Sequence, residues 1–156
     1  MYQHILIPTD GSELSGYAIE HGLALAKAVG ARVTAVTVHP PLHPSVLEAG
    51  VFADAPERYA ERMRTLADSH LRVARDAARA VGVPCDGLSV EHDHPYRAII
   101  ETAARKVCDL IVMASHGRRG IAAVVLGSET VKVLTHSTVP VLVFPAPRAR
   151  TAMAAS

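Results

Sequence analysis

Five short apolar runs, separated by stretches with the period of a helix, constrain this chain more than any other feature. The runs are His4 to Pro8, Arg32 to Val38, Cys85 to Val90, Leu110 to Ala114 and Val139 to Phe144. A strand buried on both faces has no polar side to show, so it reads as continuous apolarity rather than alternation. Helical patterns fill four intervals. Leu14 to Val29 carries Leu14, Ala18, Gly22, Leu25 and Val29 at helical spacing, and Gly30 ends it. Glu57 to Val81 places Tyr59, Met63, Leu66, His70, Val73, Ala77 and Val81 on one stripe among charged residues, and Gly82 and Pro84 stop it. A third helix takes Asp93 as N-cap, has Pro95 in its first turn and runs to about Lys106. A fourth opens at Gly127-Ser128 and continues from Glu129 to His136. Strands alternating with helices predict an α/β fold, a parallel sheet with helices on both faces.

A chain of 156 residues is long enough for one well-buried core and short for two. Hydrophobic residues make up 49% and aromatic residues 4%, so Ala, Val, Leu and Ile must build that core. The net charge of +1 offers no broad field for nucleic acid or an anionic membrane, and neither is expected as a partner. Cys85 and Cys108 lack metal or redox spacing and read as reduced, semi-buried thiols. No apolar run approaches the roughly 18 residues needed to span a bilayer, and the first residues enter a strand without a signal core, so a cytoplasmic location is expected. The stretch from His39 to Pro56 has three prolines in its first half and no sustained period. It reads as a long connection of the kind that forms lids or binding loops. The tail from Ala146 shows no core face and is expected to fray.

Chemistry concentrates after the fourth run. Val112-Met113-Ala114-Ser115-His116-Gly117-Arg118-Arg119-Gly120 leaves a strand end, and Leu126-Gly127-Ser128 opens a helix. Glycines there let the backbone approach a phosphate and present N–H groups to it. Neither the P-loop pattern nor Gly-x-Gly-x-x-Gly occurs. Ala114, Gly117, Gly127 and Ser128 instead match, with Ala in place of the first glycine, the Gly-x2-Gly-x9-Gly-Ser/Thr signature of the universal stress proteins. The chain resembles that family also in Ile5-Leu6-Ile7-Pro8-Thr9-Asp10-Gly11-Ser12, similar to its first strand and acidic turn, and in Val139-Pro140-Val141-Leu142-Val143, similar to its last strand.

Together with right-handed crossovers, the resemblance implies a five-stranded sheet of order 3-2-1-4-5 with a switch point between strands one and four. It also implies a domain over residues 1–145 with a flexible tail over 146–156, and ATP as ligand, with Mg²⁺ on its phosphates left open. A homodimer through the strand Val139 to Phe144 is implied as well. Pro140 there lacks a ladder donor and belongs on an edge.

The resemblance places Asp10 at the ribose hydroxyls and Pro8, Thr9 and Val38 beside the base, with Val38 contributing backbone groups. Read without it, Asp10 is a helix cap or Asx turn and Val38 is core. Met113 can pack on an adenine face or simply fill the core. Gly117, Gly127, Ser128 and its neighbours Glu129 and Thr130 form the phosphate turn, with Ser128 at the positive end of a helix dipole. They also read as a loop glycine and a helix cap. Arg118 and Arg119 can neutralise outer phosphates or stand idle in solvent. Ala114, Ser115 and His116 line the first half of the turn. Glu129 conflicts with phosphate for the same positive potential unless it points elsewhere.

Two further chemistries have weak support. Ser115 and His116 lack an orienting acid, and adjacent residues seldom have nucleophile-base geometry. His39 with His43, and His92 with His94, have no acidic or thiol cluster to complete a metal site. The alternatives to an ATP-binding stress-response module are a relative that works through protein contacts alone, or a slow ATPase or phosphotransferase using the same crevice.

Overall fold

A computed structural model describes residues 1–43, 56–116 and 126–147. Its strands are β1 (His4–Pro8), β2 (Arg32–His39), β3 (Cys85–Glu91), β4 (Leu110–Ala114) and β5 (Val141–Phe144). The helices are α1 (Glu13–Val29), α2 (Pro56–Val81), α3 (Pro95–Arg105) and α4 (Ser128–His136). All strand pairs are parallel and the order is β3-β2-β1-β4-β5. The sequence expectation of an α/β sheet ordered 3-2-1-4-5 holds.

Strand alternation divides the interior into two layers. Ile5, Ile7, Val33, Ala35 and Val112 face α1 and α2, against Ile19, Leu23, Ala26, Leu71, Ala74 and Ala78. Leu6, Val36, Ile111 and Met113 face α3 and α4, against Ile99, Ala103 and Val133. Small residues set the helix distances. An added Cβ on Gly22 would stand 2.6 Å from Ile7 Cδ1 and 3.2 Å from Val112 Cγ1, so α1 lies close over the seam between β1 and β4.

Three local expectations are corrected. On α2 the buried stripe is Ala67, Leu71, Ala74 and Ala78, while Leu66 and Val73 from the expected stripe are 39% and 59% exposed. Three alanines face the sheet because they permit close approach, and the larger side chains are displaced to the neighbouring face. The N-cap of α3 is His94, not Asp93, and makes no side-chain cap bond. The last strand starts at Val141 rather than Val139, because the Ser137 hydroxyl accepts from Val139 N–H at 3.0 Å and donates to its carbonyl at 2.7 Å. That turn diverts the backbone groups of Val139 from the ladder. Of the expected tail, Ala146 and Pro147 are exposed and 148–156 lie outside the described residues.

The amino end of the sheet is pinned by polar groups. Asp109 accepts from the N–H groups of Gln3 and His4 at 2.8 and 3.0 Å. The buried His4 ring reaches the Lys106 carbonyl through Nδ1 at 3.0 Å and Thr34 Oγ1 through Nε2 at 2.8 Å. A carbonyl cannot donate, so Nδ1 carries the proton and neutral Nε2 accepts from the threonine hydroxyl. Burial, helped by the Arg32 charge, lowers the His4 pKa from its ordinary 6.5. The unfolded chain therefore binds the proton more readily, and the stability contributed by neutral His4 is full above 6.5 and is lost as pH falls towards the folded value. The Asp109 carboxyl acts in a lower window: burial raises its pKa, but the N–H bonds from His4 and Gln3 outweigh that and hold it below 3.8. The urea midpoint should fall between pH 7.5 and 5.5, and His4→Gln should flatten that dependence. An equal slope in the variant would remove His4 as its source.

Candidate functional site

β1 lies between β2 and β4, and the chain leaves its two neighbours for opposite faces of the sheet. A crevice opens where such directions diverge, at the carboxyl ends of the strands. The β1–α1 turn and the residues after β4 both fall there.

On the β1 side, Pro8 closes the strand opposite Val36 and Thr9 N–H makes the last bond to β2, 2.8 Å from the Val36 carbonyl. The Thr9 side chain is buried, 3.1 Å from Ser15 Oγ, and accepts from Gly11 N–H at 3.2 Å. Asp10 Oδ1 accepts from Ser12 N–H at 3.0 Å, an Asx turn, and Ser12 caps α1 through Ser15 N–H at 3.1 Å. Gly11 has φ +75°, and a Cβ there would collide with the imidazole of His70 on α2. That contact, invisible in the sequence, seats α2 against the acidic turn.

Val38 extends this wall. Its side chain packs in the α3/α4 layer and its register partner is Val90. The carbonyl of Val36 faces β1 and that of His39 faces β3, where it accepts from His92 N–H at 3.0 Å. By that alternation the N–H and C=O of Val38 face the β1 side, beyond the Thr9 bond where β1 has turned away. His39 Nδ1 is buried with no hydrogen-bond partner among the described residues.

On the β4 side, Met113 is 6% exposed and packs in the core with Ile99 and Val133. Ala114 ends the strand in extended conformation, and Val107 is the only non-glycine with positive φ among the described residues. Its methyl group is therefore unstrained. Ser115 is 2% exposed, donates N–H to the Phe144 carbonyl at 2.9 Å and has Oγ 3.2 Å from His116 Nδ1. No carboxylate is paired with His116 among the described residues. Gly117, Arg118 and Arg119 lie outside them.

The chain returns at α4. Gly127 N–H is 2.6 Å from the Ser115 carbonyl, and buried Thr130 donates Oγ1 to the Ala114 carbonyl at 3.1 Å. These two bonds lock the helix start onto the end of β4. Its first helical bond is Val131 N–H to the Gly127 carbonyl, 3.0 Å. The N–H groups of Ser128, Glu129 and Thr130 therefore have no acceptor within the helix, and Ser128 is exposed. Glu129 turns away: Oε2 accepts from Tyr96 N–H at 2.9 Å and Oε1 from Lys132 Nζ at 3.0 Å.

The histidines are used locally. His43 Nε2 lies 2.7 Å from Asp93 Oδ1, and His92 Nδ1 accepts from His94 N–H at 2.8 Å. Among the described residues no group of three or more His, Cys, Asp or Glu is arranged to hold a metal, and no helix is long and apolar enough to cross a membrane.

Gly127 has φ −71° and needs no glycine for its backbone, but an added Cβ would stand 3.0 and 3.1 Å from Cβ and Cα of His116. Gly127→Ala should push the two segments apart at a cost of about 1–3 kcal/mol. Chemical denaturation measures it, and an unchanged midpoint would mean that the contact yields freely.

Residues 1–145 match the family model described as Universal stress protein family. A universal stress protein of Methanocaldococcus jannaschii is 31% identical over 153 residues, covering 95% of this chain and 85% of that protein. The solved structure of hypothetical protein MJ0577, described as a structure-based assignment of biochemical function, superposes with a TM-score of 0.80 at 26% identity, covering 96% of this chain and 99% of that one. A universal stress protein in complex with cAMP superposes with a TM-score of 0.66 at 26% identity, covering 94% and 98%. With a family model spanning nearly the whole sequence and the same sheet underneath, this chain belongs to the universal stress protein family.

Proposed function

We propose that this universal stress protein binds an adenine nucleotide, ATP in the first instance, at the carboxyl-end crevice and acts as a stress-response binding or signalling module. The observation that carries the reading is the pair of Val38 backbone groups directed past the end of β1. A fixed donor and acceptor at a strand end suit the edge of adenine. Asp10 serves the ribose hydroxyls, with Pro8 and Thr9 forming the wall beneath. The N–H groups of Ser128, Glu129 and Thr130 serve the phosphates, and Gly117, Arg118 and Arg119, which lie outside the described residues, are assigned to the same groups. Met113, Ser115 and Gly127 stand at the end of β4 and the start of α4, beside those N–H groups. The cAMP complex of a structural neighbour supports the ligand class. Mg²⁺, where present, would ride on the phosphates and water, since no carboxylate cluster among the described residues offers it a cage. Residues 1–145 form the working domain, 146–156 a tail, and the protein works in the cytoplasm.

Ala114 does not favour a relative that has lost nucleotide, because its extended backbone accommodates the methyl group. Calorimetry with ATP and GTP should show ATP tighter by at least tenfold, each tenfold being about 1.4 kcal/mol. Equal affinities, or no heat with either nucleotide, would overturn the adenine reading.

The same reading includes a homodimer through β5. That strand is an edge of the sheet, and Leu142 on it is 39% exposed beside 45% for Val131 and 42% for Leu134 on α4. Light scattering should give a dimer for the parent and a folded monomer for Leu142→Lys. A monomeric parent at tens of micromolar would dismiss this interface.

A further inference from the structure

The start of α3 has one backbone donor that its own sequence cannot satisfy. Pro95 has no N–H, and Arg97 and Ala98 both donate to the His94 carbonyl, at 3.1 and 3.2 Å. Tyr96 N–H remains, and His94 supplies no side-chain cap. The missing acceptor comes from another helix: Glu129 Oε2, 2.9 Å away and 33 residues distant in sequence. Its other oxygen is held by Lys132. Glu129 is the second residue of α4, where a carboxylate ordinarily settles on its own helix terminus and occupies the positive potential there. Here it is committed to α3.

We propose that Glu129 is a positioning residue that caps α3 in trans and thereby keeps the amino terminus of α4 open for an anionic ligand. The inference deepens the nucleotide reading and rests on it for the identity of the anion. Reach decides the geometry. A shorter carboxylate cannot span to Tyr96 and falls back on the α4 terminus, where it opposes phosphate by charge and by taking N–H donors. An amide of the same length keeps an acceptor at Tyr96.

Three variants test this. In Glu129→Ala the Tyr96 amide should exchange with solvent at least tenfold faster and the protein should lose stability, and Glu129→Gln should recover most of both. Glu129→Asp should change affinity in proportion to ligand charge: adenosine binding alters less than threefold, and ATP binding weakens tenfold or more, with the difference shrinking as salt is raised. A purely structural role would lower adenosine and ATP affinity together, and that outcome overturns the proposal. Unchanged Tyr96 exchange in Glu129→Ala overturns it as well. The exchange and stability readouts need no ligand, so failure of the parent to bind ATP would refute the nucleotide reading while leaving the trans-cap to be decided on its own.

Discussion

The placement of β1 governs everything else in this molecule. Ile5, Leu6 and Ile7 are 0–1% exposed, with β2 on one flank, β4 on the other and a helical layer on each face. Burying each such side chain contributes about 1.5–3 kcal/mol, and β1 and its neighbour β4 are the two most deeply buried strands. Polar chemistry is therefore displaced to the ends of β1. At the amino end His4, Thr34 and Asp109 satisfy one another and the backbone, which fixes register. At the carboxyl end the strand stops early, leaving Thr9 and Asp10 in a turn and β2 without a β1 partner beyond Val36. The stabilising polar cluster and the candidate site occupy opposite ends of the same strand.

The middle of the sheet, β1, β2 and β4, was legible in the sequence because parallel strands buried on both sides have no polar face to confuse the pattern, whereas the edge strands β3 and β5 are only partly buried. Helix faces were harder. On α2 the eye follows Leu66 and Val73, but burial follows Ala67, Ala74 and Ala78, since the sheet selects for closeness rather than for size. A stripe displaced by one residue is the natural error when large apolar residues are given more weight than alanine. The start of β5 was hidden by the Ser137 hydroxyl. The candidate site was legible as local signals: the acidic turn and the strand end at Ala114 stand at the carboxyl ends of β1 and β4, and the helix start at Ser128 is bonded to the latter. What sequence could not reveal is contact across distance, such as the His70 ring against Gly11 or the Glu129 carboxylate at Tyr96.

That last contact resolves a conflict in the sequence. A glutamate in the first turn of a helix proposed to face phosphate looks self-defeating, because it and such a ligand would compete for the same partial charge. The conflict disappears when two helix termini are considered together. One carboxylate lies within reach of two adjacent amino termini, and α3 takes it because proline and the His94 carbonyl have already reduced its need to a single acceptor. At the terminus of α4, locked to β4 through Gly127 and Thr130, the N–H groups of Ser128, Glu129 and Thr130 take no acceptor from Glu129.

Gly22 shows how far from the crevice its shape is decided. With no side chain, it brings α1 down onto Ile7 of β1 and Val112 of β4 at once. A helix centred on that seam must begin above it, so the Ser12 cap and the Asp10 turn stand over the switch point rather than to one side. α4 reaches the same point from the other face, because its start is bonded directly to the end of β4. A larger residue at 22 would lift α1 from both strands and carry the acidic turn with it, leaving every residue of that turn chemically intact and misplaced. The acidic turn and the open helix terminus thus face one crevice because both are referenced to β4, one through a missing side chain and the other through two hydrogen bonds.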